Sequence, residues 1–206
     1  MLEIKSDSAD TRDLLERAGK GDRLALDQLL ARHRPRLRAF VAVRLGPDLQ
    51  ARVDASDIVQ EAQVEIARRL EDFMRRRPMP FHVWVRKTAY ERLLNIQRHH
   101  LHRSRRSVLR EAPWPESSSL LVARQFLPAS SPSRQFRGRE LAERVARAVA
   151  ELSDTDREIL LMRHAEELPY DEISCLLDIE PAAARKRYGR ALIRLQRILT
   201  KHRVLE

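Results

Sequence analysis

The sequence predicts an all-α protein: two small helical domains joined by a flexible linker. Three observations carry that prediction. Glycine is scarce, 5 of 206 residues, and aromatics make up 5% of the chain, which argues against a β-rich fold. Long Leu/Ala/Arg/Glu stretches set apolar residues three and four apart, the period of a helix with one buried side. From residue 103 the composition shifts toward Pro and Ser and stays there to about 137. The expected organisation is a helical domain over 10–102, a linker over 103–137 and a second helical domain over 138–203.

In chain order, residues 1–8 read as a frayed terminus. Asp10 is expected to cap a short helix that Gly19 ends. Asp22 opens a second helix, with Leu26, Leu29, Leu30, Leu37, Phe40 and Val41 as core candidates. Pro35 should kink that segment or split it near Arg34. Gly46-Pro47 begins a loop running to about Val53, and Asp54 caps the next helix.

That helix carries two stripes. Val59, Ala62, Ile66, Leu70 and Phe73 form an apolar one, and Asp57, Gln60, Glu61 and Val64 a mostly polar one. Pro78 and Pro80 should end it, because proline disfavours helix in the residue before it. A basic helix follows from Pro80 to Arg103. It can bury Phe81, Val85, Ala89, Leu93 and Ile96, leaving Lys87, Tyr90, Glu91, Leu94 and Arg98 on another side. Cations beside an aromatic ring suit a nucleic-acid strand, since phosphate meets the charge and an unstacked base meets the ring. Trp84 reads equally well as core or as an edge near DNA.

The linker holds Pro113-Trp114-Pro115 and a Pro/Ser cluster at 128–133, with a helical turn or two over Ser119 to Phe126. Thirty-five residues would average about 30–35 Å end to end as a flexible chain, and ~115 Å fully stretched. The second domain begins near Gly138, with Leu141, Val145, Val149 and Leu152 as its stripe. Ser153 and Asp156 resemble a capping box for a helix from Asp154 to about Glu166. Leu168-Pro169 breaks that helix. Tyr170 to Leu177 is short, and Asp178-Ile179-Glu180 makes a tight turn. Pro181 stands at a first helical position, and the last helix runs to about Thr200.

The net charge is +10, from 40 Lys+Arg against 30 Asp+Glu. A basic excess of this size suits a polyanionic partner, although an Arg-rich composition accounts for it equally well. Cys175 is the single cysteine, expected buried and inert, so no disulfide framework arises from this chain. No apolar run approaches the ~20 residues of a membrane span, and no leader pattern opens the chain. A cytoplasmic, nucleoid-associated protein without membrane insertion is expected. No catalytic constellation, cofactor motif or metal set is readable. His99, His100 and His102 cluster without further ligands.

The short helix, tight turn and long basic helix make a helix-turn-helix pattern. Ala184, Tyr188, Ala191, Leu192 and Leu195 face inward by period. Ala182, Ala183, Arg185, Lys186, Gly189 and Arg190 then face outward, toward a major groove. Small alanines permit close approach, and Arg or Lys reach guanine edges or phosphates.

With both domains in view, the chain resembles a bacterial sigma factor of the extracytoplasmic-function (ECF) group of the sigma-70 family. The resemblance spans residues 15–103 and 138–200. It rests on Asp57-Ile58-Val59-Gln60-Glu61, on Phe81-His82-Val83-Trp84-Val85, and on Leu152-Ser153 through Arg157-Glu158-Ile159-Leu160, followed by Leu168-Pro169-Tyr170-Asp171-Glu172-Ile173. It implies a region 2 bundle and a region 4 helix-turn-helix. It further implies that Asp57, Ile58, Gln60 and Glu61 grip the clamp helices of the RNA polymerase largest subunit, with a second contact at the polymerase flap. Arg77, Phe81, Trp84, Arg86, Lys87, Tyr90 and Arg98 would hold the melted −10 strand of promoter DNA. A loop near Arg77 to Phe81 would capture an extruded base. Ala182, Ala183, Arg185, Lys186 and Arg190 would read the −35 element. An anti-sigma factor is a further candidate partner. The chain departs from the family pattern at Glu91, where Asn is common, and at Asp178, where Gly is usual.

Two other readings compete. A free-standing helix-turn-helix regulator would bind duplex DNA without polymerase, and would leave residues 54–103 unexplained. An all-helical scaffold would show no DNA role.

Overall fold

The computed structural model describes residues 6–104, 116–126 and 135–204. Of the expected linker, residues 105–115 and 127–134 lie outside the described residues, as do the side chains of His100 and His102. The chain divides into two compact units, one drawn from Glu3–Pro113 and one from Trp114–Glu206. Every regular element among the described residues is helical.

The first unit contains α1 (Ala9–Gly19), α2 (Arg23–Ala42), the single turn α3 (Pro47–Gln50), α4 (Ala55–Arg76) and α5 (Phe81–Ser104). The cap of α1 is Ser8 rather than Asp10: the Ser8 hydroxyl accepts from the Thr11 N–H at 3.3 Å. Asp10 lies in the first turn and pairs with Arg32 at 3.1 Å. Asp22 and Asp54 cap α2 and α4 as expected, accepting from the amides of Ala25 (3.0 Å) and Ser56 (2.6 Å).

Pro35 does not split α2. The helix continues through it, although an interior proline costs about 3 kcal/mol. The buried side chains of Leu29, Leu37, Phe40 and Val41 offset that cost, at about 1.5–3 kcal/mol each. The loop expected over 46–53 contains α3, which buries Leu49.

Helices α2, α4 and α5 pack mutually, with α1 laid on α2 and α4. Val59, Ala62, Ile66, Leu70 and Phe73 of α4 are all buried. Gln63 is buried among them, and its amide ties α4 to the Leu30 carbonyl and to the Arg34 guanidinium of α2.

The second unit contains α6 (Glu116–Gln125), α7 (Gln135–Ala150), α8 (Asp154–Leu160), a π-helical turn (Leu161–Ala165), α9 (Tyr170–Leu177) and α10 (Pro181–Lys201). Residues 116–125, expected inside the linker, form α6, which packs on α7 and on the π-helical turn. Ser118, Val122 and Ala123 are fully buried there, and Ser119 nearly so. These small side chains permit close helix contact without a conspicuous apolar stripe. The Ser153–Asp156 box forms by half: the Ser153 hydroxyl accepts from the Asp156 N–H at 3.3 Å, while the Asp156 carboxylate accepts from Arg194 at 2.5 Å. Asp178 ends α9 in the left-handed region, with φ 56°.

Candidate polymerase and promoter interfaces

The polar stripe of α4 emerges as an exposed face. Asp57, Gln60, Glu61 and Val64 are all exposed, Val64 at 58%. The acids nearby differ in their surroundings. Glu65 lies 3.9 Å from Arg69 and 4.0 Å from Arg92, and Asp72 pairs with Arg75 and Arg76. Among the described residues, Asp57 and Glu61 take no ion pair. Their face is therefore open to cations from outside. Ile58 is a correction. The family resemblance puts it in the same interface, yet it is 0% exposed, because it falls one residue round the helix, on the side packed into the bundle.

At the α4–α5 corner the aromatic residues are placed otherwise than the family resemblance implies. It sets Phe81, Trp84 and Tyr90 at the strand, and all three are buried, Phe81 as its period predicts and Trp84 in the core rather than at an edge. Trp84 stacks on Phe73 with ring centroids 4.3 Å apart. Phe81 lies edge-on to His33 at 5.4 Å and to Phe73 at 5.7 Å. Tyr90 meets Phe40 at 6.0 Å. The buried Arg44 guanidinium covers Phe40 at 3.8 Å and donates to its carbonyl at 2.8 Å. The reason is that α5 packs against α2 as well as α4, so it has two buried sides where a single stripe would predict one.

What this corner exposes is the connection itself. Arg77 adopts φ 37° and ψ 57°, and its N–H donates to the Phe73 carbonyl at 2.7 Å. Its side chain and Pro78 are exposed. Arg86 and Lys87 are half-buried, with Arg86 over the Phe40 ring at 5.9 Å. Arg98 is exposed further along, and so is Glu91 on the same helix.

The first turn of α5 is capped from a distance. The Asp7 carboxylate accepts from the Phe81 N–H at 2.7 Å and the His82 N–H at 3.2 Å, and lies 2.9 Å from the His82 ring Nδ1. Burial alone would raise the Asp7 carboxyl. The bonds from the His82 side chain and from the Phe81 and His82 amides, with the attraction of His82, outweigh it and hold the group below the usual carboxylate range. Sequence reasoning misses this residue, because no local spacing links Asp7 to a helix 74 positions away. The neighbouring His33 is pushed down to about 4, chiefly by burial; nearby Asp7 opposes the shift, and His82, Arg36 and Arg32 add to it.

In the second unit the recognition pattern stands as expected for most positions. Ala184, Ala191 and Leu195 are buried, while Ala182, Ala183, Arg185, Lys186 and Arg190 are exposed. Tyr170, at the start of α9, lies under two guanidinium groups, with Arg163 5.1 Å and Arg185 5.6 Å from its ring. The ring thus limits where Arg185 can reach. Lys186 and Arg190 border a shallow basin of about 280 Å³ with Ser153, Thr155, Asp156, Arg187 and Arg194. Arg187 and Arg194 do not stand out in the sequence, although Arg194 follows Arg190, and Arg187 follows Ala183, by four positions, about one helical turn.

The π-helical turn sets His164 against Tyr188, with 2.8 Å between Nε2 and the phenol oxygen, and against the Phe126 ring at 4.3 Å. Burial, with Arg163 adding, lowers His164. Burial, with Tyr170 adding, raises Tyr188. Both groups are neutral near pH 7, and the contact is a hydrogen bond that braces the middle of α10. Cys175 is half-buried. No group of three or more His, Cys, Asp or Glu among the described residues is placed to hold a metal. No helix among them is long and apolar enough to cross a membrane.

Comparison with known proteins adds to this geometry. Residues 142–195 match the family model for sigma-70, region 4. The ECF RNA polymerase sigma-E factor of Escherichia coli strain K12 is 27% identical over 179 residues, covering 86% of this chain and 88% of that protein. The RNA polymerase sigma-H factor of Pseudomonas aeruginosa is 26% identical over 187 residues, covering 87% and 89%. Among solved structures, CnrH in complex with the cytosolic domain of CnrY superposes with a TM-score of 0.56 at 21% identity, covering 94% of this chain and 99% of that one. The sigma factor RpoE in complex with the anti-sigma factor NepR, from Bartonella quintana, gives 0.54 at 20% identity, covering 84% and 96%. These two likenesses concern the fold. Over most of its length the chain is similar to ECF RNA polymerase sigma factors, and its residues 142–195 match sigma-70, region 4.

Proposed function

We propose that this chain docks on RNA polymerase core through the exposed face of α4, opens a −10 element at the α4–α5 corner and reads a −35 element with α10. The observation that carries the reading is the face of Asp57, Gln60, Glu61 and Val64. Among the described residues its acids are without internal cations, and its valine is open to solvent. That combination suits a basic protein partner rather than DNA. The partner surfaces are the clamp helices of the largest subunit and, for the second unit, the flap.

Melting needs no covalent chemistry. A strand is trapped once its bases leave the stack, at a cost of a few kcal/mol per base, and phosphate contacts from Arg77, Arg86, Lys87 and Arg98 offset that cost. Because Phe81, Trp84 and Tyr90 are buried, these rings support the strand site from beneath. The loop over 77–80 takes the base. On the −35 side, Arg185, Lys186 and Arg190 meet base edges and phosphates, and Ala182 and Ala183 permit close approach. The work is cytoplasmic, on nucleoid DNA. An anti-sigma factor is a natural regulator, since the structurally similar RpoE is held by the anti-sigma factor NepR.

Transcription in vitro with purified core polymerase on a random promoter library tests the reading. Initiation from a shared pair of elements that depends on the added chain supports it. Specific duplex binding by the chain alone, with no initiation when core is present, would favour the free-standing regulator instead.

A further inference from the structure

We propose that Asp7 is the positioning residue of the strand-capture loop: seated on the Phe81 and His82 amides, its carboxylate fixes where residues 77–80 leave α4 and enter α5. The proposal rests on the promoter-opening role argued above and deepens it.

The two ends of the loop are held differently. At the α4 end the hold is local: Arg77 takes a left-handed conformation and its N–H returns to the Phe73 carbonyl. At the α5 end the residue preceding the helix is Pro80, whose side chain offers no acceptor, while the first amides of a helix need one. The acceptor comes from Asp7, which takes both the Phe81 and His82 N–H groups and meets the His82 ring. The Asp7 side chain is 11% exposed, so solvent competes weakly for it. Pro78 and Pro80 supply no N–H groups, so the loop has little hydrogen bonding of its own.

Two consequences follow. The positive end of α5, which would otherwise attract a phosphate, is already neutralised by an internal anion. A captured strand must then be held by the loop and its flanking cations, and the shape of the loop matters correspondingly more. Asp7 is also tied to the first turn of α1, because the next residue, Ser8, caps that helix and contacts the Thr11 hydroxyl at 2.9 Å. Since α1 packs on α2 and α4, the capture loop takes its register from the amino-terminal helix of the unit. Asp7 acts through the loop and does not itself touch the strand.

The test uses holoenzyme assembled from core and three versions of the full chain: unaltered, Asp7→Ala and Asp7→Asn. Three quantities are read: affinity for core, affinity for a single-stranded oligonucleotide bearing the −10 sequence chosen in the library experiment, and amide hydrogen exchange over 77–82. Asp7→Ala is expected to weaken strand binding about tenfold and to speed exchange, with core affinity within about twofold of the unaltered chain. Asp7→Asn keeps an oxygen for the amides and is expected to recover strand binding to within about threefold. Strand affinity unchanged in Asp7→Ala would overturn the proposal. So would loss of core affinity in step with strand affinity, or an unfolded Asp7→Ala chain, since either makes Asp7 a general fold residue. If the unaltered holoenzyme assembles but holds no strand, the promoter-opening reading falls as well, and that result is recognisable because it precedes any substitution.

Discussion

The two regions proposed to face DNA are built on opposite plans. On α10 the groups that would meet DNA stand outside a finished core: Ala184, Ala191 and Leu195 are buried, and Arg185, Lys186 and Arg190 are exposed beside them. At the α4–α5 corner the rings that would suit a base are the core itself, with Trp84 stacked on Phe73 and Phe81 wedged between Phe73 and His33. A rigid duplex groove can be read by a helix that displays its side chains in advance. A melted strand has no fixed shape, and the proposed site would offer it a shaped loop and cations over a stiff aromatic floor. In the first region stability and recognition separate by helix face. In the second they share residues.

Substitutions can break or sharpen that contrast. The largest effect is expected from Trp84→Ala. Truncating a buried Trp costs about 3–5 kcal/mol, so denaturant unfolding of the first unit should shift strongly, with core and strand binding abolished together. Arg185→Ala combined with Lys186→Ala should behave oppositely. The melting curve should barely move, while duplex affinity falls about 5- to 150-fold for each base-edge interaction removed and the salt dependence becomes shallower.

Arg77→Gly should split the two properties at a single residue. A left-handed non-glycine residue costs about 1–2 kcal/mol, partly offset by glycine's own entropy. Stability should therefore rise by about 0.5–1 kcal/mol, while strand binding weakens through the missing cation.

A reversible effect is expected from pH. His33 is held neutral, titrating at about 4 in the fold against an ordinary value of 6.5. Its depressed value means that protons favour the unfolded chain, so stability is complete above about pH 6.5 and declines as pH falls toward 4. Asp7, also depressed, contributes stability that is present above its ordinary value of 3.8 and is lost only as pH falls below that. Thermal melts from about pH 7 to 4.5 should show the His33 decline, and His33→Phe should flatten it. An unchanged slope in that variant would contradict the assignment.

Much of the fold is legible in the sequence because it is local. Asp22 and Asp54 announce their helices, Pro181 and Asp178 bracket the recognition turn, and α9 spans the expected Tyr170–Leu177. What escapes is tertiary. A single-stripe reading of α5 leaves Tyr90 outside, but α2 brings Phe40 against that side, and Arg44 follows just after it. Ile58 sits one residue away from an exposed acid and faces the bundle. Helix α6 is built from Ser118, Ser119, Val122 and Ala123, small residues that read as linker until α7 and the π-helical turn cover them. The Asp7 cap closes over 74 residues, beyond any periodicity.

The central claim is a division of labour, with polymerase docking on α4 of the first unit and duplex reading on α10 of the second. The most direct measurement is the affinity of the purified chain for polymerase core in two double variants, Asp57→Lys with Glu61→Lys and Arg185→Ala with Lys186→Ala. The account predicts that the first weakens core binding about a hundredfold at an unchanged melting temperature and that the second binds core like the unaltered chain. Core affinity untouched by the α4 reversal would contradict it, as would an equal weakening in both.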